Sequence, residues 1–351
     1  MTPVRSFTST ALEAADRGRE LGEHHGADIA RTVHAYRRLF DARATRPFDV
    51  DLWAERAWET IRDLAPGAAS EIAGIAEGAR VPVRDVAMLN ARTELLAVAD
   101  PTGVVDECST VVSLPEAAAP VAVQTWDWYA AMADDWFVWT MPREGGGVVR
   151  TVTEYGVLGK IGVSSRGVGV MFNMLRHRDD ALAEDTGLGY PVHLLGRRIL
   201  EEAGDLQEAV DIASSVPTSA STSLTVVDAT GGAASIELFP GGPGLVRPQD
   251  GVLVRTNHFV SDQGADGCLA STIGPGSGIR RTTLLDAFSE GPPRSADQVV
   301  EAMHDHAPVG GVCAHPDRST EPLLWHATLA TVAVDVAGCA LDVTAGGPCA
   351  R

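Results

Sequence analysis

For its first hundred residues the chain reads as helix alone. Ala11 to Arg38 is rich in Ala, Glu, Leu and Arg, and Val50 to Leu64 and Gly67 to Gly78 continue the pattern on either side of Pro66. Val81 to Ala97 closes the block as one further expected helix, with Asp85 as a candidate cap, and Asp100-Pro101-Thr102-Gly103 has the composition of a turn. From Val111 the texture changes. Short apolar runs at Val111 to Leu114, Val121 to Thr125, Trp136 to Met141, Val148 to Thr153, Lys160 to Ser164 and Val168 to Asn173 follow one another, divided by glycine-rich or acidic turns.

Two helical stretches come next, Val192 to Ala203 and Leu206 to Ser215, then strands at Ser223 to Asp228, Ser235 to Phe239 and Val252 to Asn257. Helices are expected over Arg280 to Phe288 and Ala296 to His304, and a closing hairpin over Ala330 to Val336 and Ala340 to Thr344. Clustered strands and clustered helices give an α+β layered fold rather than strict βαβ alternation. Two antiparallel sheets between helical layers satisfy that order.

Composition narrows the function. A net charge of −19, with no basic block, speaks against nucleic acid or an anionic membrane as partner. The same charge weakly opposes long-range attraction of anionic donors, unless local charge overrides it. Met1 to Glu20 lacks the apolar core of a signal peptide, and no stretch is long and apolar enough to span a bilayer. The five cysteines, Cys108, Cys268, Cys313, Cys339 and Cys349, are odd in number and irregularly spaced, which suits free thiols in a reducing cytoplasm. No Cys-x-x-Cys pair exists, and His258 and His315 lack partners at ligand spacing, so no metal site is expected and both read as core or loop histidines.

Taken alone, Cys108 reads as a buried cysteine at a strand start. Its companions change that reading. Leu89-Asn90-Ala91-Arg92-Thr93-Glu94, Glu107-Cys108-Ser109-Thr110, Gln124-Thr125-Trp126-Asp127-Trp128, Glu154-Tyr155-Gly156 running to Lys160-Ile161-Gly162, Arg255-Thr256-Asn257-His258-Phe259, and Thr328-Leu329-Ala330 with Gly346-Gly347-Pro348-Cys349 occur in this order. Together they resemble the acyl-coenzyme A:6-aminopenicillanic acid acyltransferase family of N-terminal-nucleophile hydrolases, over nearly the whole chain.

The resemblance implies a four-layer αββα sandwich and a precursor that cuts itself at the Glu107-Cys108 bond. The products would be a helical small chain, 1–107, and a catalytic chain, 108–351, that remain together as one globular unit. Cys108 would then carry an acyl group as a thioester, with its own freed amino group as base. Asp127 matches the acid that holds this amino group, and Asn257 the residue that stabilises the oxyanion. Arg280, Trp126, Tyr155 and Asn173 are candidates for substrate contact, whereas Asn90, Arg92 and Glu94 read as a structural network anchoring the small chain.

The implied partners are a small-molecule amide or thioester donor and a water or amine acceptor, with no cofactor. Hydrolysis and transfer both fit, and association into a homo-oligomer stays open. Two departures point to the alternative of an unprocessed, catalytically silent binding or scaffold protein. Glu107 precedes the cut, where glycine would ease the strained geometry, and Ala314 stands where many members have arginine.

Overall fold

The structure, a computed structural model, describes residues 3–103, 108–182, 186–270, 275–319 and 321–351. A short strand β1 (Ser6–Thr8) precedes helices α1 (Ala14–Arg43), α2 (Val50–Leu64), α3 (Pro66–Ala79), α4 (Val83–Asn90) and α5 (Arg92–Ala99). Strands β2 (Ser109–Ser113), β3 (Val121–Tyr129), β4 (Trp136–Pro142), β5 (Val148–Glu154), β6 (Ile161–Ser164) and β7 (Val168–Met174) follow. Next come α6 (Val192–Glu202), α7 (Leu206–Ser214), β8 (Thr222–Asp228), β9 (Ala233–Phe239), β10 (Gly242–Val246) and β11 (Val252–Arg255). Helices α8 (Gly276–Ala287) and α9 (Ala296–Ala302) lead to the hairpin β12 (His326–Asp335) and β13 (Ala340–Ala345).

Among the described residues these strands form an eight-stranded sheet, β1-β4-β5-β6-β7-β8-β9-β10, and a five-stranded sheet, β11-β2-β3-β12-β13. The larger sheet is covered by α6 and α7, the smaller by α8 and α9, and the sheets face each other between them. This is the four-layer αββα sandwich. Strand periodicity sorts the core into its layers. Val111 joins Val123, Val254, Leu284 and Val300 on the face under α8 and α9. Its neighbour Val112 belongs with Val163, Val170 and Val332 in the main core. Gln124 of β3 crosses from one sheet to the other, and its amide oxygen accepts the Phe172 N–H of β7 at 3.1 Å.

Some expectations need correction. The helix expected over Val81 to Ala97 is two, because Ala91 leaves helical geometry at φ −105°, ψ 18°. That break frees Asn90 to donate to Gly156 O at 2.8 Å and accept from Leu158 N at 2.9 Å, clamping the β5–β6 connection. Asp85 does not cap α4; its carboxylate pairs with Arg37. Pro66 occupies the first turn of α3, where its missing N–H costs nothing.

Two edge strands escaped the sequence reading. β10 contains Gly242-Pro243-Gly244, a composition tolerated at a sheet edge but not inside one. β1 is three residues long and pairs in parallel with β4, so the larger sheet is not wholly antiparallel.

The N-terminal helices join the sandwich by close backbone contact and buried charge. A Cβ on Gly78 of α3 would lie 2.7 Å from Glu23 N of α1, so the two helices meet backbone to backbone. Glu71 of α3 accepts from Arg17 of α1 at 2.7 Å and from Arg197 of α6 at 3.3 Å, all buried.

Candidate active site

Cys108 stands immediately before β2 and is buried. Its backbone is held from two sides. Its carbonyl oxygen accepts from Asn173 Nδ2, at the end of β7, and from an Arg280 terminal nitrogen in α8, both at 3.0 Å. The same Arg280 nitrogen reaches Ser109 Oγ at 3.1 Å, and its partner nitrogen donates to Asn257 Oδ1 at 3.0 Å. Because a guanidinium only donates, the oxygen of Asn257 must face it. The Asn257 amide nitrogen is thereby directed to Met174 O, at 2.9 Å.

Asn257 follows β11, and its placement has a local cause. The chain leaves the sheet after Arg255 and is captured by the first turn of α8. Asn257 N donates to Ser277 Oγ at 2.7 Å, and Thr256 Oγ1 to Ser277 O at 3.0 Å. Behind them Arg255 and Glu237 form a fully buried ion pair at 2.5 Å. Glu237 also accepts from Val260 N at 2.8 Å and Ser261 N at 2.9 Å, which fixes the segment that carries Asn257.

Asp127 lies on β3 next to the nucleophile candidate, and the Cys108 thiol donates to its backbone carbonyl at 3.6 Å. Burial, and then the Asp127 charge, push this thiol up to about 12. Lys160 and Arg280 act in the opposite direction. A small cavity is lined by Cys108, Asp127, Asn257, Trp126, Lys160 and Arg176, with Arg43, Arg92 and Asp100 from the N-terminal block. Only about 20 Å³ of it admits the centre of a water molecule, space for a water rather than an acyl chain. A roomier cleft around Arg17, Glu71 and Arg197 shares no lining residue with it.

Lys160 is the residue that sequence reasoning passed over. It is the only lysine in the chain, every other strongly basic position being arginine, and that singularity was a legible signal. It is buried, with Nζ 3.7 Å from the Trp126 ring centre and 3.7 Å from a Glu154 oxygen. Burial lowers its pKa to about 7 against the pull of Glu154. Arg176 was also missed. It is buried in the cavity wall, and its Nε and one terminal nitrogen have no hydrogen-bond partner among the described residues.

The structure brings Cys108, Asp127, Asn257 and Trp126 to one cavity. Arg280 and Asn173 are not among its lining residues; both hydrogen-bond the Cys108 carbonyl. Tyr155 is elsewhere, stacked on Phe137 with ring centres 4.5 Å apart beside His25. It turns away because β5 ends at Glu154, which takes the inward position. Glu154 pairs there with Arg92 and Tyr36, and Arg92 Nε donates to Tyr36 at 2.6 Å. Glu94 accepts from Val192 N at 2.8 Å, so Asn90, Arg92 and Glu94 all bind the helical block to the sandwich.

His258 is a half-buried loop histidine between Thr256 and Ser277, lowered to about 4 by burial and neighbouring arginines. His315 does have partners, contrary to its spacing: Cys313, Cys349 and His306 surround it. Glu107, the residue before the expected cut, lies outside the described residues.

The sequence profile of the acyl-coenzyme A:6-aminopenicillanic acid acyl-transferase family matches residues 115–349, two thirds of the chain. The chain belongs to this family. The match includes Asp127, Asn257 and Arg280 and begins just after Cys108. The 40 kDa form of acyl-coenzyme A:6-aminopenicillanic-acid-acyltransferase from Emericella nidulans is 29% identical over 254 residues, covering 70% of this chain and 68% of that one. Among solved structures, an N-acylethanolamine-hydrolyzing acid amidase orthologue from Caenorhabditis elegans is 15% identical, with a TM-score of 0.49, covering 68% of this chain and 100% of that one. Penicillin V acylase from Agrobacterium tumefaciens is 15% identical, with a TM-score of 0.47, covering 68% and 83% respectively. Among the described residues no helix is long and apolar enough to cross a membrane.

Proposed function

We propose that this chain is a self-processing cysteine N-terminal-nucleophile enzyme that takes the acyl group of a small amide or thioester onto Cys108 and delivers it to water or an amine. The observation that carries the reading is the convergence on one cavity of Cys108, Asp127 and Asn257, with the Cys108 carbonyl fixed by Arg280 and Asn173. In the uncut chain a thiol near 12 is protonated and unreactive at neutral pH, and the cavity is too small for an acyl chain. Both features suit a precursor.

Cleavage at Glu107-Cys108 would release an α-amino group beside the thiol, with Asp127 close by to hold it. That amine takes the thiol proton as sulfur attacks the acyl carbonyl, and Asn257 donates to the oxyanion, worth about 3 kcal/mol. Collapse of the tetrahedral adduct breaks the bond to the leaving amine or thiol, which receives the proton, and leaves the thioester. Water or an acceptor amine attacks it in turn and regenerates the thiol.

Lys160, with its positive potential, favours the thiolate. Arg176 supplies donors suited to a carboxylate or carbonyl of the substrate. The cavity wall is thus locally cationic, which offsets the chain's overall negative charge for an anionic donor.

The test is mass spectrometry after exposure to activated acyl esters and amides. The reading expects an acyl adduct on the Cys108 peptide, sensitive to hydroxylamine and absent from Cys108→Ala protein. Turnover that is unchanged in Cys108→Ala contradicts it.

A further inference from the structure

Away from the Cys108 cavity, a second cluster of reactive side chains has no part in the proposed acyl transfer. The loop 304–315 and the C-terminal turn Pro348–Ala350 meet beside the start of β12. His304 Nε2 donates to Pro348 O at 2.7 Å, Cys313 N to Asp305 O at 2.9 Å, and Ala314 N to Thr328 Oγ1 at 3.0 Å. Gly347 is required at the meeting point, since a Cβ there would collide with the Cys313 sulfur.

These contacts bring together His306, Cys313, His315 and Cys349. One ligand atom from each lies within 4.8 Å of the others. The two sulfurs are 3.5 Å apart, and His315 Nε2 is 3.7 Å from Cys313 Sγ and 3.6 Å from Cys349 Sγ. Zinc bonds of about 2.3 Å to sulfur and about 2.05 Å to nitrogen put the edges of a ligand tetrahedron at roughly 3.4–3.8 Å. The three measured edges fall in that range. The sulfur separation is well beyond the ~2.05 Å of a disulfide.

We propose that His306, Cys313, His315 and Cys349 form a Cys₂His₂ zinc site. Two thiolates balance the charge of the ion, and a soft tetrahedral S₂N₂ set is a zinc preference among the divalent metals. Four protein ligands leave no position for substrate, so the site is structural. It ties the loop 304–315 and the C-terminal turn to β12 at Thr328, the residue registered against Asp127. An ion there braces the strand behind the carboxylate of the candidate active site.

Full-length protein, loaded with zinc and dialysed, is expected to retain about one zinc per chain by elemental mass spectrometry, given the tight binding typical of structural sites. Cys349→Ser and His315→Gln should each lose it, while Cys108→Ala keeps it. A chain that retains no zinc overturns the proposal. So does zinc retention in the Cys349→Ser, His315→Gln double variant, or a Cys313–Cys349 disulfide in peptide maps of zinc-supplied protein. Should the variants fail to fold, cobalt titration of Cys108→Ala protein decides. Thiolate charge-transfer and intense tetrahedral ligand-field bands are expected, and a weak octahedral spectrum is the contrary result.

Discussion

Cys108 and the Cys313–Cys349 pair adjoin neighbouring strands: Cys108 leads into β2, which pairs with β3, and Ala314, next to Cys313, is bonded to Thr328 of β12, which is paired with Asp127 of β3. Their surroundings are built on different principles. Around Cys313 and Cys349, lone pairs converge: two imidazoles from the loop that carries Cys313 meet the two sulfurs, one of which comes from the distant C-terminal turn. Around Cys108, hydrogen-bond donors converge instead, and they converge on its carbonyl rather than its sulfur. The Cys108 sulfur is left with a weak contact to a backbone carbonyl, a carboxylate neighbour and a buried lysine. One arrangement is suited to holding an ion and the other to presenting a thiol. The work of a cysteine in this chain is thus read from what is aimed at its sulfur, not from cysteine spacing.

The largest effect that can break this contrast is Cys108→Ala. It should remove turnover to background, a loss on the order of 10⁴ or more by comparison with other catalytic nucleophiles. Cys339→Ser, outside both neighbourhoods, should leave turnover unchanged; steady-state assays of both variants check this. Next is Asn257→Ala, expected to lower kcat about 10²–10³-fold with a smaller change in KM, because its donor acts on the oxyanion. An equal loss with KM alone affected would reassign Asn257 to substrate binding.

Smaller still is Lys160→Met. Loss of its positive potential should shift the pH profile of Cys108 alkylation upward and lower turnover roughly tenfold. The same variant carries a stability signature. The folded-state pKa of Lys160, about 7, lies below the ordinary lysine value, so between the two the unfolded chain binds the extra proton. Stability from this group is therefore present above the ordinary lysine value and lost as pH falls from there towards about 7. Urea midpoints should rise from about pH 7 to about pH 10, and the rise should be shallower in Lys160→Met. Gly78→Val probes the helical block alone. Overpacking of the α1–α3 contact should cost about 1–3 kcal/mol in denaturant melts without reaching the chemistry of the sulfur.

The layering was legible because the periodic runs are long and their order is segregated. The hairpin β12–β13, α6 and α7 begin within a few residues of their expected positions. The break at Ala91 was not legible, since nothing in Ala91 itself opposes helix; the requirement comes from Asn90 reaching Gly156 in a distant loop. At the site, Cys108, Asp127 and Asn257 could be named from ordered motifs. Their mutual geometry could not, nor could the hydrogen bonds of Arg280 and Asn173 to the Cys108 carbonyl, which depend on α8 and β7 both meeting β2. Tyr155 shows the same limit in reverse: its motif is near the site, but strand alternation gives Glu154 the inward place. The grouping of His306, Cys313, His315 and Cys349 was hidden because Cys349 lies far along the chain from the other three, and only the fold brings it beside them.

The central claim is that Cys108 becomes an N-terminal nucleophile. Intact-mass spectrometry of purified full-length protein, followed by N-terminal sequencing, tests it most directly. The account predicts two associated chains, the larger beginning at Cys108, and a single uncut chain for Cys108→Ala. A wild-type protein that remains one chain while turning over acyl substrates at full rate would contradict it.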